Sequence, residues 1–200
     1  MTYERTGYMI QLYTHPKVQA KFIGLGSTRK VERYDDFVVK SFLHPLGEKQ
    51  SRLEEKMYAR LYSQQLHQYV APILYVDDSI CVQPYFRPVP ADYGHYQIDF
   101  ETDPRVTDSL RQAIHLLKDE FACYDIFDSS NYALNKEGKL VLIDYGMTYD
   151  MYKEEWKPLA RQGVLPQITI GTCQECGVEK ELRIYGIDDP DRRCVSCGKI

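Results

Sequence analysis

Short apolar runs separated by turn residues dominate the first half of the chain, a pattern typical of antiparallel strands. It predicts strands at residues 18–24, 30–34 and 37–42, then a hairpin of residues 70–76 and 80–83. Apolar residues recur at helical spacing over residues 47–65 and again over 107–121, which predicts two helices. Strands followed by helices indicate an α+β fold with an antiparallel sheet.

A later, smaller hairpin is predicted to hold two polar side chains together. A polar loop ends at Asn131, residues 132–134 and 139–143 are apolar, and Asp144 follows the second apolar run. The two strands would place Asn131 and Asp144 side by side. An amide oxygen and a carboxylate in that arrangement can share a hard cation such as Mg2+.

Glycines occur at the turn between the first two predicted strands. Gly24 and Gly26 can let the backbone approach a triphosphate with its N–H groups, although they also suit an ordinary hairpin turn. Lys40 ends the third strand, where its ammonium can bind phosphate as a point charge. Glu54 shares the inward face of the first helix, so it needs a partner, for which Lys40 is the candidate. Glu55 is the alternative inward residue, and a solvated surface glutamate is the other interpretation.

These residues together resemble the protein kinase family. The segment Asp144-Tyr145-Gly146 stands where kinases have Asp-Phe-Gly, and the intervals from the loop asparagine through the hairpin to the aspartate are the same. We expect Gly146 to let the backbone turn sharply after Asp144. The resemblance covers about residues 18–150 and implies a two-lobed fold with an antiparallel N-lobe sheet and a reduced helical C-lobe.

The resemblance also implies roles for site residues. ATP and Mg2+ would bind between the lobes, with Lys40 on the nucleotide phosphates, Glu54 positioning Lys40, and Asn131 with Asp144 holding the metal. The adenine would lie under Val31. The linker after residue 83 would bind adenine through backbone groups; Pro84 cannot donate, so the donor would come from one of the next two residues. These are Tyr85 and Phe86.

The sequence departs from the kinase pattern in its loops. Arg29 replaces the third glycine, which we expect to tighten the loop or alter nucleotide affinity. Ile126 stands where kinases carry the proton-accepting aspartate. Asp125 is the candidate base if the loop holds one extra residue, Asp128 is a second candidate, and the absence of any base is the third possibility. The peptide-binding helices are missing, as in the compact kinases that some bacteriophages make.

Two Cys-x-x-Cys pairs near the C-terminus predict a zinc ribbon, because two pairs of thiolates complete a tetrahedron around Zn2+. The four cysteines are Cys173, Cys176, Cys194 and Cys197. Gly177 and Gly198 follow the pairs and would supply the positive φ that such turns need. Two disulfides are the alternative. We predict four parts: an N-terminal strap (1–17), an N-lobe (18–84), a reduced C-lobe (85–165) and the ribbon (166–200).

Composition narrows the class of partner. A net charge of −4 gives no general attraction to nucleic acid or anionic membrane, and the ribbon's charges are mixed, so no nucleic-acid footprint is evident. A structural or protein-docking role suits the ribbon better. Residues 163–172 are apolar for a link, which predicts that the ribbon packs on the kinase-like part.

The sequence thus predicts a cytoplasmic, ATP-dependent kinase that phosphorylates serine or threonine of a protein substrate. No apolar run is long enough to cross a bilayer, and the N-terminus has no secretory pattern. A pseudokinase that binds a protein partner, with the ribbon as its dock, is one alternative. A small-molecule kinase with a similar core is the other.

Overall fold

The computed structural model describes residues 20–90 and 98–200. The predicted N-terminal strap and the start of the first predicted strand lie outside the described residues. Within those two ranges, no helix is both long and apolar enough to span a bilayer.

A five-stranded antiparallel sheet forms the first half of the described chain, in the order β1-β2-β3-β5-β4. Its strands are β1 (Lys21–Leu25), β2 (Arg29–Tyr34), β3 (Phe37–Phe42), β4 (Tyr75–Val76) and β5 (Ile80–Pro84). The register sets Lys40 in the middle of the sheet, opposite Val31 on one side and Cys81 on the other. The predicted α+β fold class, with its antiparallel N-terminal sheet, is confirmed.

The predicted strand at residues 70–76 is shorter in the structure. Only its last two residues pair with β5, because the start of the segment is bound elsewhere. Val70 bridges Leu142 in parallel, and the N–H of Ala71 donates to the Leu142 carbonyl at 2.9 Å. These bonds tie the segment to the later hairpin, not to the sheet.

Two amphipathic helices form the main core: the first packs against the five-stranded sheet, and the second packs against the first. Helix α1 (Pro45–Ser63) begins two residues earlier than predicted, because the His44 side chain accepts from the Leu46 N–H and Pro45 suits the first helical turn. Helix α2 (Asp108–Phe121) is capped by the Thr107 side chain. Their apolar faces join one core cluster, which includes Met57, Leu61, Leu110 and Leu117.

A three-stranded sheet carries the later hairpin, with β6 (Arg87–Pro88), β7 (Tyr132–Leu134) and β8 (Leu140–Leu142) in that order. After Gly146 the structure has a π-helical turn (Met151–Trp156) followed by α3 (Lys157–Arg161). Just before this turn, Thr148 bridges Cys123, and the N–H of Tyr149 donates to the Ala122 carbonyl.

The C-terminal part is a two-stranded antiparallel sheet of β9 (Gln167–Thr172) and β10 (Glu179–Ile184). Residues 163–172 are therefore not a link along their whole length, since their second half is strand β9. The register accounts for this: every residue of β9 faces a partner in β10. A small core of Leu182, Ile184, Cys173 and Cys194 lies beneath this sheet.

Candidate functional site

The structure brings Lys40 next to Asp144, although the two are far apart in the sequence. The ammonium of Lys40 donates to the carbonyl of Ile143, the residue before Asp144, at 2.7 Å. The same Nζ lies 3.9 Å from Oε2 of Glu54. Lys40 is 5% exposed and Glu54 is 0% exposed. The sheet, helix α1 and the hairpin therefore converge on one buried cluster of charges.

Glu54, not Glu55, is the inward carboxylate of α1, since Glu55 is exposed. Its nearest cation is Arg29, whose Nη1 lies 3.0 Å from Oε1, and the N–H of Tyr145 reaches the same oxygen at 3.3 Å. Lys40, the predicted partner, lies 3.9 Å from the other carboxylate oxygen of Glu54, and Arg29 is a second, closer partner that the sequence did not predict. Arg29 is held close to Glu54 because its Nη1 also donates to Ser51 Oγ, at 3.2 Å, on the same helix.

Arg29 also contacts Asp144, because its Nη2 donates to Oδ1 of that carboxylate. Burial acts to raise the pKa of Asp144, but the charges of Arg29 and Lys40 outweigh it and lower the pKa. Burial likewise acts to lower the pKa of Arg29, and Asp144 and Glu54 more than reverse it, so the pKa is raised. Both groups are therefore charged at neutral pH. Sequence reasoning treated Arg29 only as a missing glycine.

The glycine turn has the geometry of a hairpin connection. The N–H of Gly26 donates to the Arg29 carbonyl at 2.9 Å, so this donor is used within the turn. Gly24 lies in β1 next to Val31 of β2, and a side chain at Gly24 would meet nothing within 4 Å. There is thus open space next to Gly24 for a ligand, whereas the N–H of Gly26 already has a partner within the turn.

The linker after β5 offers fewer backbone donors than predicted. The N–H of Tyr85 donates to the Asp36 carbonyl at 2.7 Å, and the guanidinium of Arg33 lies 3.7 Å from the centre of the Tyr85 ring. Tyr85 is therefore bound to the β2–β3 side of the sheet. Of the two predicted adenine donors, Phe86 is the one whose N–H makes no hydrogen bond to the described residues.

The loop before β7 orients Asn131 and Asp125. The Asn131 amide nitrogen donates to the Asp125 carbonyl at 2.9 Å, which leaves its Oδ1 as the side-chain atom for a cation. Oδ1 of Asp125 is buried without a hydrogen-bond partner among the described residues. Burial, and secondarily the Asp144 charge, raises the pKa of Asp125 to about 7.

The other two loop positions have structural roles. The Asp128 carboxylate accepts from the Ser130 N–H at 2.9 Å and from the Ser130 hydroxyl at 2.7 Å, so it caps the turn that ends at Asn131. Ile126 is 1% exposed and belongs to the main core. Asp125 is thus the loop carboxylate that lies close enough to Asp144 to be affected by its charge.

The C-terminal part contacts the glycine turn directly. Arg183 of β10 is 4% exposed and donates through Nη1 to the carbonyls of Leu25, at 3.0 Å, and Gly26, at 2.5 Å. The indole Nε1 of Trp156 donates to the hydroxyl of Ser27 at 3.0 Å. Packing of the C-terminal part on the sheet, which the apolar segment before it predicted, therefore occurs at this turn.

The four C-terminal cysteines form a cluster that could hold a metal ion. Their sulfurs all lie within 4.8 Å of one another, close to the separation of about 3.8 Å expected between thiolates on one tetrahedral Zn2+. All six cysteines of the chain are free, which disfavours paired disulfides. Gly177 and Gly198 have φ values of +68° and +96°, as the knuckle turns require. Hydrogen bonds, first from the Cys176 N–H, lower the pKa of Cys173 to about 6.

No protein-family model and no curated protein sequence matches this chain. Among solved structures, the gentamicin complex of APH(2")-IIa is similar at 13% identity, covering 73% of this chain and 70% of that chain, with a TM-score of 0.43. The streptomycin-ATP ternary complex of APH(2")-IIa has 12% identity, coverage of 73% and 71%, and a TM-score of 0.41. Macrolide 2'-phosphotransferase MphH from Brachybacterium faecium has 11% identity, coverage of 70% and 71%, and a TM-score of 0.36. At these values the likeness assigns neither an activity nor a substrate to this chain.

Proposed function

We propose that this chain is an ATP-dependent phosphotransferase of the kinase-like type, with the nucleotide between the five-stranded sheet and the β7–β8 hairpin. One observation carries the proposal: Lys40 of β3 donates at 2.7 Å to the carbonyl that precedes Asp144. Lys40 supplies the positive charge that the phosphates of Mg-ATP require, and Asp144 supplies the negative charge that the metal requires. Buried Glu54 lies beside Lys40.

Each charged group has a role in this proposal. Lys40 would bind the phosphates, and Asn131 Oδ1 with Asp144 would hold Mg2+, which neutralises phosphate charge when bound. Two buried carboxylate oxygens would gain hydrogen-bond donors when the nucleotide and the acceptor bind. Glu54 Oε2 and Asp125 Oδ1 are buried without hydrogen-bond partners within the described ranges. Lys40, once bound to phosphate, could reach Glu54 Oε2, and the hydroxyl of a substrate could reach Asp125 Oδ1.

Asp125 is the proposed base. A carboxylate with a pKa of about 7 is half ionised at neutral pH, close to the optimum for general-base catalysis. It would accept the proton of the attacking hydroxyl or orient it. We propose a serine or threonine hydroxyl of a protein as the acceptor. A small molecule with a free hydroxyl would use the same base, so the assay must include both kinds of acceptor.

Transfer of label from γ-labelled ATP with Mg2+ tests the proposal. The acceptors are the protein itself, a cell extract and a panel of small hydroxyl compounds. We expect transfer that Asp144→Ala abolishes and Glu54→Gln reduces. Glu55→Gln, on the exposed side of the same helix, is the matched control and should leave transfer unchanged. Absence of label, or label that is insensitive to Asp144→Ala, would refute phosphotransfer.

A pseudokinase that binds a protein partner is the second candidate, and the contact between Arg29 and Asp144 favours it. A cation already bound to the metal-binding carboxylate can stabilise the site without Mg2+. This alternative predicts thermal stabilisation by nucleotide with no turnover. Measurable phosphotransfer would exclude it.

For the C-terminal part we propose a structural Zn2+ bound by the four cysteines, within a ribbon of residues 166–200. The sulfur cluster and the positive φ of the two glycines support this assignment. The division of residues 18–84 and 85–165 into two lobes also stays a proposal. In it, the ribbon would be the dock for a protein partner.

A further inference from the structure

Arg29 is the most completely paired charge of the site, yet it stands at a loop position where kinases have glycine. Its side chain is 5% exposed, and its fork reaches Glu54, Ser51 and Asp144. Lys40 and Arg29 carry two positive charges, and Glu54 and Asp144 carry two negative charges. These four charges therefore balance one another before any ligand binds, and Arg29 neutralises the carboxylate that a metal ion would otherwise occupy.

The two ends of the guanidinium have different surroundings. Nη1 is held by Glu54, which is fully buried, and by Ser51 on the same helix. Nη2 contacts Asp144, whose side chain is 40% exposed and so faces the open side of the site. A small movement of Asp144 toward a metal ion would free Nη2, while Nη1 stays anchored. A buried guanidinium that loses one anionic partner requires another, because an unpaired buried charge is costly.

We propose that Arg29 is a second phosphate-binding cation of the nucleotide site. On nucleotide binding, its Nη2 exchanges Asp144 for a phosphate oxygen, and Asp144 becomes available to Mg2+. Guanidinium forks suit phosphate oxygens better than an ammonium does, because they donate along fixed, paired directions. The inference rests on the proposed function, since it requires a nucleotide at this site.

The exchange predicts that metal and nucleotide bind cooperatively. Without nucleotide, Mg2+ or Mn2+ must compete with the guanidinium for Asp144 and binds weakly. With nucleotide, the phosphate takes up Arg29 and the competition ends. Arg29→Met removes both effects, so it should weaken nucleotide binding about 10- to 100-fold and tighten binding of Mn2+ alone about 10-fold, as expected when one charge-assisted hydrogen bond is removed from each equilibrium.

Binding can be followed through Trp156, the single tryptophan of the chain, which donates to Ser27 in the glycine turn. Fluorescence and calorimetric titrations would use ADP, a non-hydrolysable ATP analogue and Mn2+, separately and together. Arg29→Lys keeps a charge for Glu54 and should weaken nucleotide binding about 3- to 10-fold, even if Arg29→Met fails to fold. Arg52→Met is the matched control, because Arg52 lies on helix α1 like Glu54 but its side chain is 44% exposed and pairs with Glu48 at 3.3 Å.

The outcomes separate this inference from the function on which it rests. Weaker nucleotide binding in the Arg29 variants, with unchanged nucleotide binding by the Arg52→Met protein, supports the exchange. Unchanged nucleotide affinity together with tighter Mn2+ binding would make Arg29 a competitor of the metal only, and would overturn the inference while the proposed function stands. A wild-type protein that binds no nucleotide overturns both.

Discussion

Replacing Gly146 by alanine tests how closely helix α1 is held against the Asp-Tyr-Gly segment. A Cβ at Gly146 would lie 2.3 Å from the Gln50 carbonyl oxygen and 2.9 Å from the Gln50 Cα. Ordinary contact begins at 3.4 Å, so the helix must retreat by about 1 Å. The obstructing atoms belong to the backbone, and no side-chain rotation relieves them. Met57, about two turns further along α1, is 0% exposed and resists the movement.

Two costs add up in this variant. Overpacking of a tight contact costs about 1–3 kcal/mol, and weakening the bonds of the charged Glu54, one turn from Gln50, costs about 1–2 kcal/mol more. We therefore expect a loss of about 3 kcal/mol and a fall in Tm of about 6–12 °C for a chain of this length. Nucleotide affinity should fall as well, since Glu54 holds both Arg29 and Lys40.

Differential scanning calorimetry, with Gly138→Ala as the control, measures this loss. Gly138 has a φ of +78° and nothing within 4 Å of its Cβ position, so alanine there costs only backbone strain, about 1 kcal/mol. Gly146 is not among the glycines with positive φ, so strain cannot explain a large loss there. A Tm for Gly146→Ala equal to or above that of Gly138→Ala would refute the packing argument.

Three further predictions concern the loop base, the cysteine cluster and the contact between β10 and the glycine turn. The pKa of Asp125 rises from 3.8 to about 7 on folding, so the folded state binds its proton more tightly and wild-type stability falls as pH rises between these values. Asp125→Asn should therefore gain about 1–2 kcal/mol above pH 7, after allowance for solvent screening, and nothing near pH 4 in urea titrations, with loss of phosphotransfer; equal gains at both pH values would contradict this. Cys176→Ser should lower the zinc content measured by mass spectrometry from one ion per chain, whereas Cys81→Ala, in the sheet, should not; equal zinc in both would refute the site. Arg183→Met should cost about 1.5–3 kcal/mol and shift Trp156 emission to the red, because two carbonyls lose a charged donor; unchanged emission would separate β10 from the turn.

The sheet and the hairpin could be predicted because their signals are local. Residues 37–42 open with the apolar run of Phe37, Val38 and Val39 and form β3 over the predicted range. The Asn131–Asp144 juxtaposition follows from a short hairpin between them, which the structure has. The proposed site also needs a cation near these two residues. The order of the strands supplies it, since β3 lies in the middle of the sheet and carries Lys40.

The roles of Arg29 and Gly146 could not be predicted in the same way. Arg29 reaches Glu54 and Asp144 across 25 and 115 residues, and no local pattern distinguishes a buried arginine from an exposed one. The sequence interpretation of Gly146 as a sharp turn is wrong in its reason. The glycine is needed because the helix backbone lies against it, and such a close approach depends on the packing of whole elements.

The contact between β10 and the glycine turn gives the proposed C-terminal ribbon a role in the site. A dock on a flexible tether would leave Arg183 in solvent, yet this residue is 4% exposed and its donors end on the carbonyls of Leu25 and Gly26. So small a module has little core, and a bound metal would supply most of its folding energy. The position of the turn, and through it the position of Arg29, then depends on metal in the ribbon. Zinc removal should therefore weaken nucleotide binding, although none of the four cysteines is a predicted ligand of the nucleotide.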